Sequence, residues 1–153
     1  MPPPEPTRLK RPESVLLVVY AATGKVLLLK RVDPPDFWQS VTGSLRWEER
    51  EPRAAAVREL HEETGLAVDP RQLRDLHRTY RYPILPQWRS RFAPGVTENT
   101  EYVFTLELPA ETALTIHPAE HVEYGWFAFD EAAAKATSWT NREVIEQLAK
   151  AQR

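Results

Sequence analysis

Three glutamates, Glu59, Glu62 and Glu63, stand at i, i+3 and i+4 in the run Arg58-Glu59-Leu60-His61-Glu62-Glu63. On a helix advancing about 100° per residue they share one stripe, with Ala56, Val57 and Leu60 forming the apolar stripe beside it. Carboxylates so close repel, each like-charge pair costing roughly 0.2–0.5 kcal/mol. A divalent cation removes that repulsion. An all-oxygen set suits Mg²⁺, with Mn²⁺ as the alternative, and either ion bridges readily to phosphates. A solvated helix face with Arg58 paired to Glu62 would account for the hexapeptide alone. Its surroundings favour chemistry: Gly43 precedes the helix, a further acid, Glu49, lies in the connection, and Gly65-Leu66 closes it.

Other chemistries are harder to build from this chain. It has no cysteine, which excludes disulfides, zinc–thiolate sites and thiol nucleophiles. His61, His77, His117 and His121 are scattered without ligand spacing, and no Ser-His-Asp arrangement is visible. The formal net charge of -2 offers no global field for long nucleic acid, although local arginine clusters could hold a small polyanion. The start, Met1-Pro2-Pro3-Pro4-Glu5-Pro6, has no apolar run behind it, so neither a signal peptide nor a membrane span is expected, and the cytoplasm is the expected compartment. Oligomeric state is not legible.

The elements that must position these residues fit one domain of 153 residues. Residues 1–9 are Pro-rich and read as a flexible tail; 10–153 form the domain. Ser14 to Tyr20 is a buried strand, Ala21 to Gly24 a turn, and Lys25 to Arg31 the returning strand of a hairpin. A short strand is expected at Trp38 to Thr42, then a turn at Gly43-Ser44. Pro52 suits the first turn of a helix and Gly65 its C-terminal cap, with strong helix formers from Arg53 to Thr64. Strands follow at Leu73 to Tyr82, Thr100 to Leu108 and Val122 to Phe127. Thr140-Asn141-Arg142-Glu143 reads as a capping box opening a last helix to about Ala151. The class is mixed α/β, sandwich-like, with the strand order left open.

Gly43 to Leu66 resembles the Nudix box, G-x5-E-x7-R-E-U-x-E-E-x-G-U with U aliphatic. Gly43, Glu49, Arg58, Glu59, Leu60, Glu62, Glu63, Gly65 and Leu66 occupy its fixed positions in order. Eight residues rather than seven separate Glu49 from Arg58, and the extra one is assigned to Arg50-Glu51, ahead of Pro52. The resemblance implies an α+β fold, the Nudix α/β/α sandwich around a mixed sheet, and a Mg²⁺-dependent pyrophosphohydrolase. It implies Glu59 and Glu63 as principal metal ligands, Glu62 assisting, and Arg58 orienting a glutamate. Such an enzyme mainly positions water and neutralises phosphate charge.

Further segments, Asp36 to Ser44, Ala93 to Thr97 with Asn99-Thr100-Glu101, and Ser138 to Arg142, resemble one Nudix subfamily, the bacterial dihydroneopterin triphosphate pyrophosphohydrolases, also described as dATP pyrophosphohydrolases. The likeness runs from about Lys10 to Gln147. It implies release of pyrophosphate from dihydroneopterin triphosphate in folate biosynthesis, with dATP as a further substrate. Lys10 and Arg31 resemble phosphate-contacting positions, as suits bidentate arginine; Thr42, the Tyr82 to Leu85 segment and Ser138 resemble other substrate contacts. Glu120, in a Glu-His-x4-Trp pattern with His121 and Trp126, resembles a further metal ligand or base. Trp38, Tyr80 and Tyr82 are candidates to stack on a flat heterocycle. The rival readings are a Nudix pyrophosphatase acting mainly on dATP or other nucleotides, and a non-catalytic Nudix ligand-binding module; the module would be expected to lose one of Glu59, Glu62 or Glu63.

Overall fold

Residues 9–152 are described by a computed structural model; all but the last residue of the expected tail lies outside them. Seven strands form one sheet: β1 (Glu13–Ala21), β2 (Lys25–Arg31), β3 (Trp38–Gln39), β4 (Val41–Ser44), β5 (Arg74–Pro83), β6 (Glu98–Leu108) and β7 (His121–Ala128). The order β3-β2-β1-β6-β5 is extended by β4 against β1 and β7 against β2. Only β1 and β6 pair in parallel, so the sheet is mixed.

β1 explains the architecture. Its unbroken apolar run is buried on both sides, as expected for a strand covered on both faces. Val15, Leu17 and Val19 meet Ala55, Ala56 and Leu60 of helix α1 (Pro52–Thr64). Leu16 and Val18 meet Ala132 and Ala133 of α2 (Phe129–Lys135) and Val144 and Ile145 of α3 (Trp139–Ala151). Each fully buried Leu or Val contributes about 1.5–3 kcal/mol, which seats the helices. Ala55, unlike Val57, is fully buried, so the apolar face of α1 is rotated slightly from that expected. No described helix is long and apolar enough to cross a membrane.

Three local expectations are corrected. Gly43 and Ser44 do not turn; they continue β4, with Gly43 opposite Val15 and Ser44 opposite Ser14. The glycine is required by a close approach from α1: a Cβ on Gly43 would sit 2.1 Å from Cδ of Glu59. The strand expected at Trp38 to Thr42 is broken at Ser40. There the Asn141 side chain accepts from the Ser40 amide at 2.9 Å and donates to its hydroxyl at 2.7 Å. With Thr140 and Asn141 buried, α3 begins earlier than the expected capping box, behind Ser138. The short helix α2 was not anticipated; Asp130 and Glu131 in its first turn suit the helix dipole.

Candidate functional site

The box helix closes on Gly65, whose φ of 78° places it in the left-handed region that glycine tolerates best. Its acidic residues do not behave as one stripe. Arg58 binds both oxygens of Glu49, at 2.8 and 3.0 Å, and reaches Glu59 at 2.7 Å and Glu62 at 3.2 Å. Burial pushes the Glu49 carboxyl up, but Arg58 and Arg46 outweigh it and hold the group below the usual range. Arg50, one residue on, is exposed. Glu62 is the most open of the three helix glutamates and also pairs with Arg46 at 3.1 Å.

Glu63 is the opposite case. It is 1% exposed, and neither carboxylate oxygen has a hydrogen-bond partner. Burial, then Glu59 and Glu120, push its carboxyl well above the ordinary value, against a weaker pull from the Thr42 backbone. Burial likewise raises Glu59, with Arg58 opposing. The nearest ion-pair candidate for Glu63 is His121, whose Nε2 lies 3.7 Å from Oε1. Burial, with Arg31 and His117 nearby, pushes His121 down to about 4, so its imidazole is neutral and gives Glu63 no countercharge. Gln39 faces the same ring nitrogen at 3.2 Å.

Positive charge meets this acidic pair from another side. The register between β2 and β7 shifts after Lys30, so that Arg31 pairs with His121, and Val32 donates its amide to the Glu120 carbonyl at 2.9 Å. The irregularity brings Arg31 beside Glu120 although they are far apart in sequence. The Arg31 guanidinium lies 5.7 Å from the ring centres of both Phe37 and Trp88. The amide of Lys10 donates to Arg91 at 2.8 Å. Burial, then Arg91 and Arg31, lower its pKa, while Glu59 and Glu120 oppose them. Lys10, Arg31, Glu59 and Glu120 therefore share one electrostatic neighbourhood. Glu120 itself is exposed.

The remaining expected contacts lie on the α3 face of the sheet. Thr42 is opposite Leu16, a residue of that face, and so projects the same way. Ser138 is half-buried at the start of α3, its hydroxyl 3.0 Å from that of Thr140. Tyr82 is tied by its hydroxyl to Glu101 at 3.2 Å and Asn99 at 3.1 Å, and burial with Glu101 pushes its pKa up to about 12. Among the stacking candidates, Tyr80 belongs to the core, edge-on to Trp139 at 5.3 Å, and Trp38 is edge-on to Phe127 at 5.6 Å, with Lys135 over its ring. Neither offers a free face comparable with the exposed Trp139. Sequence reasoning missed Gln39, Arg91, Asn99 and the placement of His121 beside Glu63; cross-strand register and, for Arg91, packing of the 3-10 turn Pro86–Arg91 against Lys10 carry that information.

Among the described residues, no three acidic or histidine side chains converge closely enough to cage an ion. The donor set nevertheless suits a hard divalent cation. Glu63 is a buried carboxylate with both oxygens unsatisfied, next to a second carboxylate of raised pKa, and a buried group in that state is costly unless a charge compensates it.

A mixed sheet is clasped between an acidic helix and a C-terminal helix pair, with Glu59 and Glu120 sharing one neighbourhood with Lys10 and Arg31. The NUDIX domain family matches residues 10–148, and the chain belongs to the Nudix hydrolases, which generally use divalent metals. It is 48% identical over 142 residues to dihydroneopterin triphosphate diphosphatase of Escherichia coli K12, covering 91% of this chain and 93% of the relative. To the Haemophilus influenzae protein of the same name it is 36% identical, covering 90% and 87%. The solved structure of the E. coli dihydroneopterin triphosphate pyrophosphohydrolase superposes with a TM-score of 0.83 at 47% identity, over 91% of this chain and 95% of that one.

Proposed function

We propose that this chain is a Mg²⁺-dependent pyrophosphohydrolase that splits dihydroneopterin triphosphate into the monophosphate and pyrophosphate, with dATP as a further substrate. It acts on small triphosphates in the cytoplasm rather than on long nucleic acid or a membrane. The observation that carries this reading is the buried Glu63 carboxylate, left without a partner beside Glu59, whose charge Lys10 meets from another side. The names of the relatives at 48% and 36% identity support the substrate.

In this reading Glu59 and Glu63 would hold the cation, with Glu62 and Glu120 assisting, and the ion would supply charge neutralisation for the phosphates. Lys10 and Arg31 bind the phosphate chain from the other side, and the rings of Phe37 and Trp88 hold the arginine plane in place. Arg58 fixes Glu49 and Glu59. Glu120 is exposed and lies within electrostatic range of Glu63, so it can meet a water molecule and take its proton. Water adds across the anhydride between the α- and β-phosphates, the P–O bond breaks, and pyrophosphate leaves. Thr42, Tyr82 and Ser138 line the path of the remainder of the substrate.

The test is product analysis with dihydroneopterin triphosphate and the common deoxynucleoside triphosphates in the presence of Mg²⁺. Pyrophosphate plus a monophosphate is expected, with dihydroneopterin triphosphate turned over best. Release of single phosphates overturns the reading.

A further inference from the structure

Four buried side-chain atoms lack a hydrogen-bond partner among the described residues. Three belong to Glu63 and His121; the fourth is Oε1 of Glu101. Glu101 lies on β6, opposite Ser14 of β1 and Tyr80 of β5, and it is 4% exposed. Tyr80 and Leu16 belong to the α3 side of the sheet, so Glu101 and Ser14 project to that side, as Thr42 does. The carboxylate is therefore not part of the α1 acidic site.

Its neighbours are already committed. The Tyr82 hydroxyl donates to Oε2 at 3.2 Å. Asn99 donates to the Tyr82 oxygen at 3.1 Å and to the Ser14 hydroxyl at 2.8 Å. This chain holds one carboxylate oxygen in position; the Thr140 hydroxyl lies near enough to favour the ionised form, yet Oε1 itself accepts no hydrogen bond among the described residues. A buried acceptor in that condition is costly and calls for a donor from a ligand, an ion or ordered water. Burial raises the Glu101 carboxyl pKa, with the Thr140 and Tyr82 hydroxyls pulling it back; donors from a ligand would favour the ionised form further.

A carboxylate only accepts, so its complement is a pair of adjacent N–H donors, met in a bidentate pairing. Oε2 keeps a second lone pair beyond the one Tyr82 uses. Among flat heterocycles, the 2-amino-lactam edge presents an amino group and a ring N–H side by side. Pterins and guanine share that edge, whereas adenine places an acceptor beside its amino group. A surface for stacking lies close by: Trp139 is 53% exposed, its ring edge-on to Tyr80, and the next residue, Thr140, acts on Glu101.

We propose that Glu101 is a specificity-determining residue, its buried carboxylate receiving the paired N–H donors of a 2-amino-lactam heterocycle beside the exposed face of Trp139. This rests on the triphosphate hydrolase reading above and names what selects its substrate.

The experiment compares wild type, Glu101→Gln and Glu101→Asp in steady-state kinetics on dihydroneopterin triphosphate, dGTP and dATP with Mg²⁺. Calorimetric titration with dGMP and dAMP in EDTA runs alongside. For Glu101→Gln, KM on the two 2-amino-lactam substrates rises about ten- to a hundredfold, the scale of a lost charged hydrogen bond. kcat stays within about twofold, dATP is unchanged, and the dGMP preference is lost; these kinetic ratios come from the folded, active population. Glu101→Asp falls between. Equal loss on all three substrates, a change confined to kcat, or no change overturns the proposal, as does a wild type that binds dGMP no better than dAMP. A wild type that prefers dGMP yet hydrolyses no triphosphate defeats the hydrolase reading and leaves the Glu101 assignment to stand on the titrations.

Discussion

Two carboxylates on neighbouring turns of the same helix have opposite fates. Glu59 is held by Arg58, which also binds Glu49 and Glu62, so a cation from the chain itself offsets part of the charge at that end of the acidic face. Glu63, one turn on, has only a neutral histidine at 3.7 Å and two unsatisfied oxygens. The difference separates positioning from binding. Arg58 organises the carboxylates, and in the proposed mechanism Glu63 would supply the uncompensated charge that a cation meets.

The sharpest break in this comparison is to neutralise the unbalanced end. Glu63→Gln and Glu59→Gln should each reduce turnover by about three orders of magnitude, the upper scale for losing an electrostatic anchor. Both should stay folded, with melting temperatures in EDTA equal to or above wild type, because like-charge repulsion is relieved. Near-normal activity in both would refute their roles.

Glu120→Gln is expected to lower kcat at least about a hundredfold with a smaller change in KM, as for a general base. If that variant stays active, the base lies elsewhere, with Glu49 and Glu62 next in order.

Gly43→Ala strikes the same helix indirectly. Its new methyl group would occupy space held by the Glu59 side chain, and activity should fall roughly ten- to a hundredfold with the fold retained. A fully active Gly43→Ala protein would show that the position of Glu59 is not critical.

The partly balanced end is probed by a pair of variants. Glu49→Ala should impair kcat/KM several times more than Arg50→Ala, because Glu49 is bound by Arg58 while Arg50 is exposed. The reverse ranking would mean that the extra residue of the box lies elsewhere.

The smallest effect is on stability against pH without metal. The folded pKa of Glu63 is raised, so its contribution is complete below the ordinary value of 4.5 and is lost as pH rises through the folded value. His121 runs the other way. Its folded pKa of about 4 lies below 6.5, so its contribution is present above pH 6.5 and is lost as pH falls from there towards 4. Thermal melts in EDTA should therefore show a decline on the alkaline side that Mg²⁺ removes and Glu63→Gln abolishes. An alkaline decline unaffected by either would assign it to another group.

Much of this scaffold could be read along the chain. β2 and the box helix begin and end as their punctuation suggests, with Pro52 opening the helix and Gly65 ending it. These signals are local, since a fixed proline φ and a left-handed glycine act on their immediate neighbours. The start of α3 was less legible. Thr140 and Asn141 look like caps by composition, but both are buried, Asn141 held by Ser40 between β3 and β4 and Thr140 turned towards Ser138 and Glu101.

The sequence alone determined that one helix carries Glu59, Glu62 and Glu63, that Arg58 stands beside them, and that β1 is buried on both faces, because these are matters of spacing along a regular element. The tertiary structure alone decided which glutamate is paired and which is left bare. It also brought His121 and Arg31 together across a register shift and set the Glu101 carboxylate against Tyr82 and Asn99 on the opposite face of the sheet. Those outcomes depend on desolvation and on contacts between residues far apart in the chain, neither of which any local pattern encodes.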